Sequence, residues 1–398
     1  MATTDLTTGA SPARVAFYND PRVRSLIYQI VLCLVIGLLV YGAVSNAIDH
    51  LERAHIASGF GFWNTTAGFD ISQTLIEYSS QASTYGRAFW VGLLNTLLVA
   101  GLGIVLATIL GFVIGISRLS KNWLLERFAT GYVETIRNIP LLLQLLFWYN
   151  AVLKALPETR DSIAIGGGAF LNNRGLFLPS PVYLYGFDAV IVAALVGLVG
   201  ALTYYLWARK KQERTGQRSP VLWVGLALLV GLPLVVFALR GFPLTFNYPQ
   251  AGRFNITGGI EVLPEFGALL FGLSVYTAAF IAEVVRAGIL AVSRGQTEAA
   301  YSLGFKPGPT LRLIVVPQAM RVIVPPLTSQ YLNLTKNSTL AVAIGYPDLV
   351  QVFTGTVLNQ TGQAVEVVAI TMLVYLTISL VTSGAMNLYN RSVALVER

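Results

Sequence analysis

Charged side chains are scarce in this sequence of 398 residues. Only 12% of the residues are Asp, Glu, Lys or Arg, whereas 55% are hydrophobic, and the mean hydropathy is +0.64. Soluble domains carry about twice that fraction of charge. The composition therefore excludes an ordinary soluble protein and predicts a chain that crosses a membrane several times.

Cysteine, histidine and nucleotide-binding motifs are also nearly or wholly absent. Cys33 is the lone cysteine, which excludes a disulfide framework or a thiolate metal site within the chain. His50 and His55 stand in a polar segment where such a pair is usually solvated, so no metal site is expected. No Gly-x-x-x-x-Gly-Lys-Ser/Thr motif occurs, and the usual phosphate-binding nest is therefore excluded. If ATP drives this protein, the ATP and its Mg must be bound by another subunit, with no cofactor in this chain.

Long uncharged runs are what the sequence has in abundance. Five reach the roughly 20 residues that a helix needs to cross the ~30 Å hydrocarbon core: 25–48, 88–117, 189–208, 219–239 and 367–390. Three further spans contain polar groups: about 137–156, about 266–290 and about 322–345. Runs of this length without alternation exclude a barrel. The sequence thus predicts an all-α polytopic membrane protein with eight transmembrane helices, the first too long for a signal peptide.

The basic residues fix the expected orientation. The net charge of +8 does not indicate a nucleic-acid partner, because the basic residues fall mostly at the ends of the apolar spans. With a cytoplasmic N-terminus, 19 of the 27 Lys and Arg residues lie in cytoplasmic segments, which are 1–24, 118–137, 209–218, 286–321 and 391–398. The positive-inside rule therefore predicts that both termini are cytoplasmic.

A polar segment between the sixth and seventh spans has the pattern of a short exposed helix. Ala299 and Ala300 favour a helix after Glu298, and Gly304 followed by 307–309 is expected to end it. A short exposed helix of this kind is suited to packing as a rigid element into a groove on a partner protein. Taken alone, the pattern also fits an ordinary amphipathic helix at the membrane interface.

Six sequence blocks carry a family resemblance. In chain order they are Asn95–Leu98, Tyr132–Gln144, Tyr276–Ile289, Gly295–Ala300, Pro317–Arg321 and Asn333–Leu340. Together they resemble the polar amino-acid permeases of bacterial ABC importers, and the size of the insert after the second block is similar to that of the general L-amino-acid permeases. The resemblance implies a type I importer core of five helices, with an extra N-terminal helix and an inserted hairpin of two helices.

The resemblance also divides the chain. The implied parts are a cytoplasmic tail at 1–24, an extra helix and outer loop at 25–87, a first part of the core at 88–156, an inserted hairpin with outer loops at 157–262, and a second part of the core at 263–398 with the coupling loop at about 291–321.

The resemblance implies a permease subunit, not an enzyme, of an ATP-driven importer that moves L-amino acids of broad range across the bacterial inner membrane. The implied partners are a second homologous permease, two copies of an ABC ATPase, a periplasmic amino-acid-binding protein, the amino-acid substrate and membrane lipid. The residues implied for contact with the ATPase are Glu298, Ala299, Ala300, Gly304 and Pro317.

Polar side chains inside the predicted spans are candidates for a substrate route. They are Asn95, Thr96, Gln144, Tyr276, Glu283, Asn333, Lys336 and Asn337. A charge inside a span is costly unless it is paired or faces water, and Glu283 could pair with Arg286 three residues later. Glu283 and Lys336 could equally be interhelical contacts that stabilise packing.

Two other functions stay open at this stage. An ion-coupled secondary transporter would be expected to show inverted repeats and paired intramembrane carboxylates. No repeat is visible, and Glu283 is the one carboxylate well inside a predicted span. A membrane scaffold without transport activity would tolerate substitution of Glu283 or Gly304.

Overall fold

The computed structural model describes residues 21–53, 58–252 and 255–393. Most of the predicted tail 1–24, His55 and the last five residues lie outside the described residues. Within the described part, seven helices are long and apolar enough to span a membrane, and a bent helix pair would make an eighth. The predicted all-helical membrane fold is confirmed, and the predicted eight spans equal the upper count.

Eleven principal helices follow one another along the described chain. We number them α1 Pro21–Arg53, α2 Tyr85–Ser117, α3 Trp123–Asn138, α4 Leu141–Leu153, α5 Phe187–Thr215, α6 Val221–Leu239, α7 Pro264–Leu290, α8 Arg294–Ser302, α9 Pro307–Ile344, α10 350–361 and α11 Ala364–Val393. Wider π turns interrupt several of them, at Phe147–Leu153, Ala227–Gly231, Leu311–Val315 and Val350–Val357.

The third predicted span is not one helix from 137 to 156. It is a pair, α3 and α4, bent by 104° at Ile139 and Pro140. Proline has no N–H to continue the helical ladder and disfavours a helical conformation in the residue before it, and Ile139 is extended at φ −98° and ψ 128°. The span therefore starts at Leu141, and the charged helix α3 runs in another direction.

Helix α7 is the centre of the bundle, because most of its surface is covered by α2, α3, α4 and α9. The closest approach is to α2, through Gly111 and Gly115. A Cβ at Gly111 would lie 2.5 Å from Ile281, and one at Gly115 would lie 2.7 Å from the carbonyl oxygen of Ala282. The spacing Gly-x-x-x-Gly in the sequence predicts such close packing, and the structure confirms it.

The chain between α9 and α11 folds back into the bundle. Residues 345–348 are non-helical, and α10 then packs against α2 and α11. Around it lies a second apolar cluster that includes Phe62, Tyr85, Phe89 and Phe353. The sequence does not predict this short helix, because it is too short to span a membrane and its apolar pattern continues that of its neighbours.

Small β-sheets cover one end of the bundle, where the sequence predicts only loops. Eight short strands occur in the described chain: β1 Ile163–Ile165, β2 Ala169–Asn172, β3 Gly175–Leu178, β4 Ser180–Tyr183, β5 Leu244–Asn247, β6 Gln250–Ala251, β7 Ile256–Thr257 and β8 Ile260–Val262. The largest sheet has the order β1-β2-β3-β8, and all its pairs are antiparallel. Strands of two to four residues are too short to show a clear alternation in the sequence.

The inserted helices α5 and α6 form a hairpin beside the core. Their most extensive contacts are with each other, with Gly197 of α5 directly against the backbone at Leu228 of α6. Strands β4 and β5 pair over four residues at the neck of this hairpin. The arrangement leaves most of the apolar surface of α5 and α6 exposed to the bilayer.

We predict that Gly111→Val destabilises the protein by about 1–3 kcal/mol, because the branched side chain must enter the space filled by Ile281. Gly101→Val on the same helix is the matched control, since Gly101 is exposed and a Cβ at that position would have no neighbouring atom within 4 Å. Thermal unfolding of the solubilised protein measures both. Equal stability of the two variants would contradict the close packing of α2 on α7.

Candidate functional site

Helix α8 is a short exposed helix that ends where the sequence predicts. Gly304 adopts φ +82°, in the left-handed region. The amide of Phe305 donates to the carbonyl of Ala300 at 3.0 Å, and the amide of Gly304 donates to that of Tyr301 at 2.9 Å. This pair of bonds is a Schellman motif, which satisfies the last carbonyls of the helix and favours glycine at that position. Gly304 therefore fixes how the chain leaves α8.

The residues predicted to contact an ATPase lie on α8, directly after it, and on α9. Glu298 and Ala299 are exposed, whereas Ala300 is buried and packs towards the bundle. Pro317 is exposed on α9, two residues after the π segment Leu311–Val315. Proline cannot donate a helical hydrogen bond, and a π turn beside it is a common way to accommodate that loss.

An apolar groove adjoins α8. It has a volume of about 410 Å³, and its walls come from the end of α7, from α8 and from the start of α9. Tyr301 and Leu311 on its walls are exposed, and the same segment of the chain has three further exposed apolar side chains: Leu303, Phe305 and Leu313. The segment 307–309 begins α9, with Pro307 at its first turn, and does not merely end α8 as predicted. Helix α8 and the start of α9 thus form a partly apolar surface at one end of the bundle.

Glu283 is the centre of an ionic cluster at the same end of α7. The predicted pair with Arg286 is confirmed, at 2.7 Å between carboxylate oxygen and guanidinium nitrogen. Arg118, directly after α2, donates to the other carboxylate oxygen, and Arg137 of α3 lies 3.8 Å from that oxygen. One carboxylate therefore joins three helices. The sequence did not indicate Arg118 or Arg137, because both are far from Glu283 along the chain.

Gln144 is buried at the bend between α3 and α4. Its side-chain nitrogen donates to the carbonyl oxygens of Ile136 and Ile139, each at 2.9 Å. These carbonyls lie where the helical ladder stops at Pro140, and they would otherwise lack partners in an apolar environment. Gln144 thus stabilises the bend, and its role on a substrate route stays a prediction.

Asn95 and Thr96 are fully buried and hold the segment 345–349 against α2. The Asn95 amide donates to the carbonyl of Pro347 at 2.9 Å, and the Thr96 hydroxyl accepts from the amide of Leu349 at 3.0 Å. Asn95 therefore holds non-helical backbone inside the bundle, and Thr96 holds the start of the helix that follows. Their predicted place on the route remains a prediction, and their contacts here are structural.

Asp348 is a buried carboxylate that the sequence analysis missed. It is fully buried, accepts from the amide of Gln351 at 2.8 Å and accepts from the hydroxyl of Tyr375 at 3.3 Å. It thus caps the first turn of α10 and ties that turn to α11. An acidic residue directly before an apolar helical run is the signal that could have indicated this cap.

Two stripes of incompletely buried residues run along α7 and α9. On α7, Tyr276, Phe280 and Glu283 recur every three or four residues and are half-buried. On α9, five exposed residues recur at the same spacing: Val322, Pro325, Ser329, Asn333 and Lys336. Asn337 is half-buried beside them. In the part of the chain that the structure describes, no ion pair involves the Lys336 ammonium.

We predict that Glu283→Gln destabilises the solubilised protein by about 1–3 kcal/mol, because three guanidinium groups lose their shared carboxylate. Glu213→Gln is the control, since it breaks only the exposed pair with Arg209, which contributes less than about 1 kcal/mol. Thermal unfolding of both variants tests the difference. If Glu283→Gln unfolds no earlier than Glu213→Gln, the cluster does not hold the three helices together.

Comparison with known proteins shows which proteins this chain is similar to. The family model of the binding-protein-dependent transport system inner membrane component matches residues 214–395. The general L-amino acid transport system permease protein AapQ of Rhizobium johnstonii is 54% identical, over 97% of this chain and 96% of that protein.

Two further relatives are similar over nearly their whole length. The putative amino-acid ABC transporter permease protein YhdX of Escherichia coli is 51% identical over 96% of this chain and 97% of that protein. The glutamate/glutamine/aspartate/asparagine transport system permease protein BztB of Rhodobacter capsulatus is 44% identical over 95% and 96%. These relatives give no support to an ion-coupled transporter or a scaffold. The chain belongs to the AapQ-like family of amino-acid ABC transporter permeases, which are membrane subunits that leave ATP hydrolysis to a separate subunit.

Proposed function

We propose that this chain forms one half of the pathway of an ATP-driven importer for L-amino acids of broad range. The observation that carries the proposal is the polar stripe on α9, which is exposed on the surface of a single chain although it lies in a predicted span. Asn333 and Lys336 would be costly in contact with lipid, so this face requires a second subunit or water. The name of AapQ refers to general L-amino acids, and that of BztB to acidic amino acids and their amides.

The stripes on α7 and α9 lie at matching depths. The two helices cross where Gly288 meets Ile323, and they run in opposite directions. Tyr276 and Asn333 are each about 15–18 Å from that crossing, at 1.5 Å per residue. We therefore propose that the route is lined by Tyr276, Glu283, Asn333, Lys336 and Asn337, while Asn95, Thr96 and Gln144 keep the helices in place.

The partners follow from the two exposed surfaces. A second, homologous permease would cover the stripe on α9, and a periplasmic amino-acid-binding protein would deliver substrate at the opposite end from α8. Two copies of an ABC ATPase would bind ATP and Mg, and one would contact Glu298, Ala299, Gly304 and Pro317. We infer from the distribution of basic residues that both termini and α8 lie on the cytoplasmic side of the bacterial inner membrane.

The coupling surface can be tested by charge reversal. Because Glu298 is exposed on α8, Glu298→Arg should abolish at least nine-tenths of amino-acid uptake in whole cells while the chain still inserts and assembles. Glu213→Arg is the matched control, a reversal of another exposed charge near the tip of the α5–α6 hairpin, and it should leave uptake unchanged. Normal uptake with Glu298→Arg would contradict the assignment of α8 as the ATPase contact.

The proposed place of Lys336 on the route can be tested by measuring uptake and stability separately. Lys336→Gln should lower uptake at least fivefold, yet change the free energy of unfolding of the isolated chain by less than about 0.5 kcal/mol, because the side chain is exposed there. Lys210→Gln, an exposed lysine near the tip of the α5–α6 hairpin, should change neither quantity. Unchanged uptake together with a lower melting temperature would show that Lys336 is a packing contact between helices and does not line the route.

A further inference from the structure

An apolar cavity lies where the largest sheet meets the ends of α4 and α7. Its volume of about 370 Å³ is within the usual range for small-ligand sites. Trp148 and Leu153 of α4, Leu171 and Leu176 of the sheet, and Gly267 and Phe271 of α7 contribute to its walls. The walls are apolar apart from Asn172, whose polar atoms bond elsewhere.

One wall of this cavity lies on α7, a helix long and apolar enough to span a membrane, and part of the cavity wall is exposed. Its lining runs along α7 from Pro264 to Phe271, about 10 Å at 1.5 Å per residue, and therefore extends to the depth of acyl chains. Val152 and Phe271 on its walls are 36% and 49% exposed. An acyl chain could enter from the surrounding lipid without passing through the protein core.

A polar pocket of about 440 Å³ adjoins the apolar cavity. It is lined by Lys154, Glu158, Thr159, Arg160, Asn173 and Arg174. Lys154 directly follows Leu153 of the apolar cavity, and Asn173 and Arg174 lie between Asn172 and Gly175, which also line that cavity. With three cations and one carboxylate, the pocket favours an anion.

The cationic groups of this pocket are held in position. Buried Asn172 accepts from the Arg174 amide at 2.8 Å, and the Arg174 guanidinium donates to the Asn255 side chain at 3.0 Å. The Lys154 ammonium lies 4.4 Å from the centre of the Tyr149 ring. Within the described ranges, neither Lys154 nor Arg174 forms an ion pair with a carboxylate. Glu261 on β8 interacts with Arg174 at longer range, and burial raises the pKa of Glu261.

We propose that these adjoining cavities form a binding site for one anionic phospholipid. The phosphate group contacts Lys154 and Arg174, and an acyl chain occupies the apolar cavity between α4, α7 and the sheet. A free phosphate ion could use the cationic pocket but would leave the apolar cavity unfilled. The site requires only that the chain spans a membrane, so it is independent of the proposed route and of its substrate.

Native mass spectrometry of the full-length purified permease tests the charge requirement. The probes are dioleoyl phosphatidylglycerol, dioleoyl phosphatidylcholine with identical acyl chains, and inorganic phosphate. We expect one tightly retained phosphatidylglycerol and weaker retention of phosphatidylcholine. The double variant Lys154→Gln with Arg174→Gln should lower the affinity for phosphatidylglycerol roughly fivefold per removed charge. Lys210→Gln with Arg214→Gln removes the same charge from the hairpin tip and should not change it.

A second variant tests the apolar cavity with all charges retained. Gly267→Leu should fill the cavity and lower phosphatidylglycerol binding, and it should fold because a Cβ at Gly267 would be 3.9 Å from Leu153. Gly225→Leu, where a Cβ would have no atom within 4 Å, is the matched control. Equal retention of the two lipids, binding unchanged in both test variants, or full displacement of the lipid by inorganic phosphate would each overturn the proposal. Binding is read without an ATPase or transport, so its failure is distinct from failure of the proposed function.

Discussion

The need to satisfy backbone hydrogen-bonding groups inside an apolar bundle governs this structure. Two segments interrupt the helices of the bundle, the bend at Ile139–Pro140 and the non-helical residues 345–348. At each one, polar side chains bond to the freed backbone: Gln144 at the bend, and Asn95 with Thr96 at and directly after the second segment. Unpaired groups there would cost several kcal/mol each. The polar residues of the spans are therefore partly explained by the shape of the backbone.

Once those residues are accounted for, the remaining polar surface is more informative. The Glu283 cluster connects α2, α3 and α7 at the end of the bundle where α8 lies. Glu283 therefore connects the end of α7 that leads into α8 to the ends of α2 and α3. The stripe on α9 with Asn333 and Lys336 has no such contacts within the described chain, and the proposed second permease subunit would give it a polar surrounding.

The sequence predicted most of what depends on local pattern. The apolar runs located the spans, the Gly-x-x-x-Gly spacing indicated close packing of α2 but not its partner α7, and Gly304 marked the end of α8. Features that depend on distant residues could not be read from it. Arg118 and Arg137 meet Glu283 only because α2 and α3 end beside α7, and Pro347, whose carbonyl accepts from Asn95, lies 252 residues further along the chain. The strands were missed because two to four residues show no period.

Identification of the subunits that accompany this chain tests the central claim most directly, that it is half of an ATP-driven pathway. The measurement is purification from the native membrane in mild detergent, followed by native mass spectrometry of the intact complex and its subunits. The account predicts a complex of this chain with one related permease and two copies of an ABC ATPase. Recovery of the chain alone, or as a homodimer without any ATPase, would contradict it.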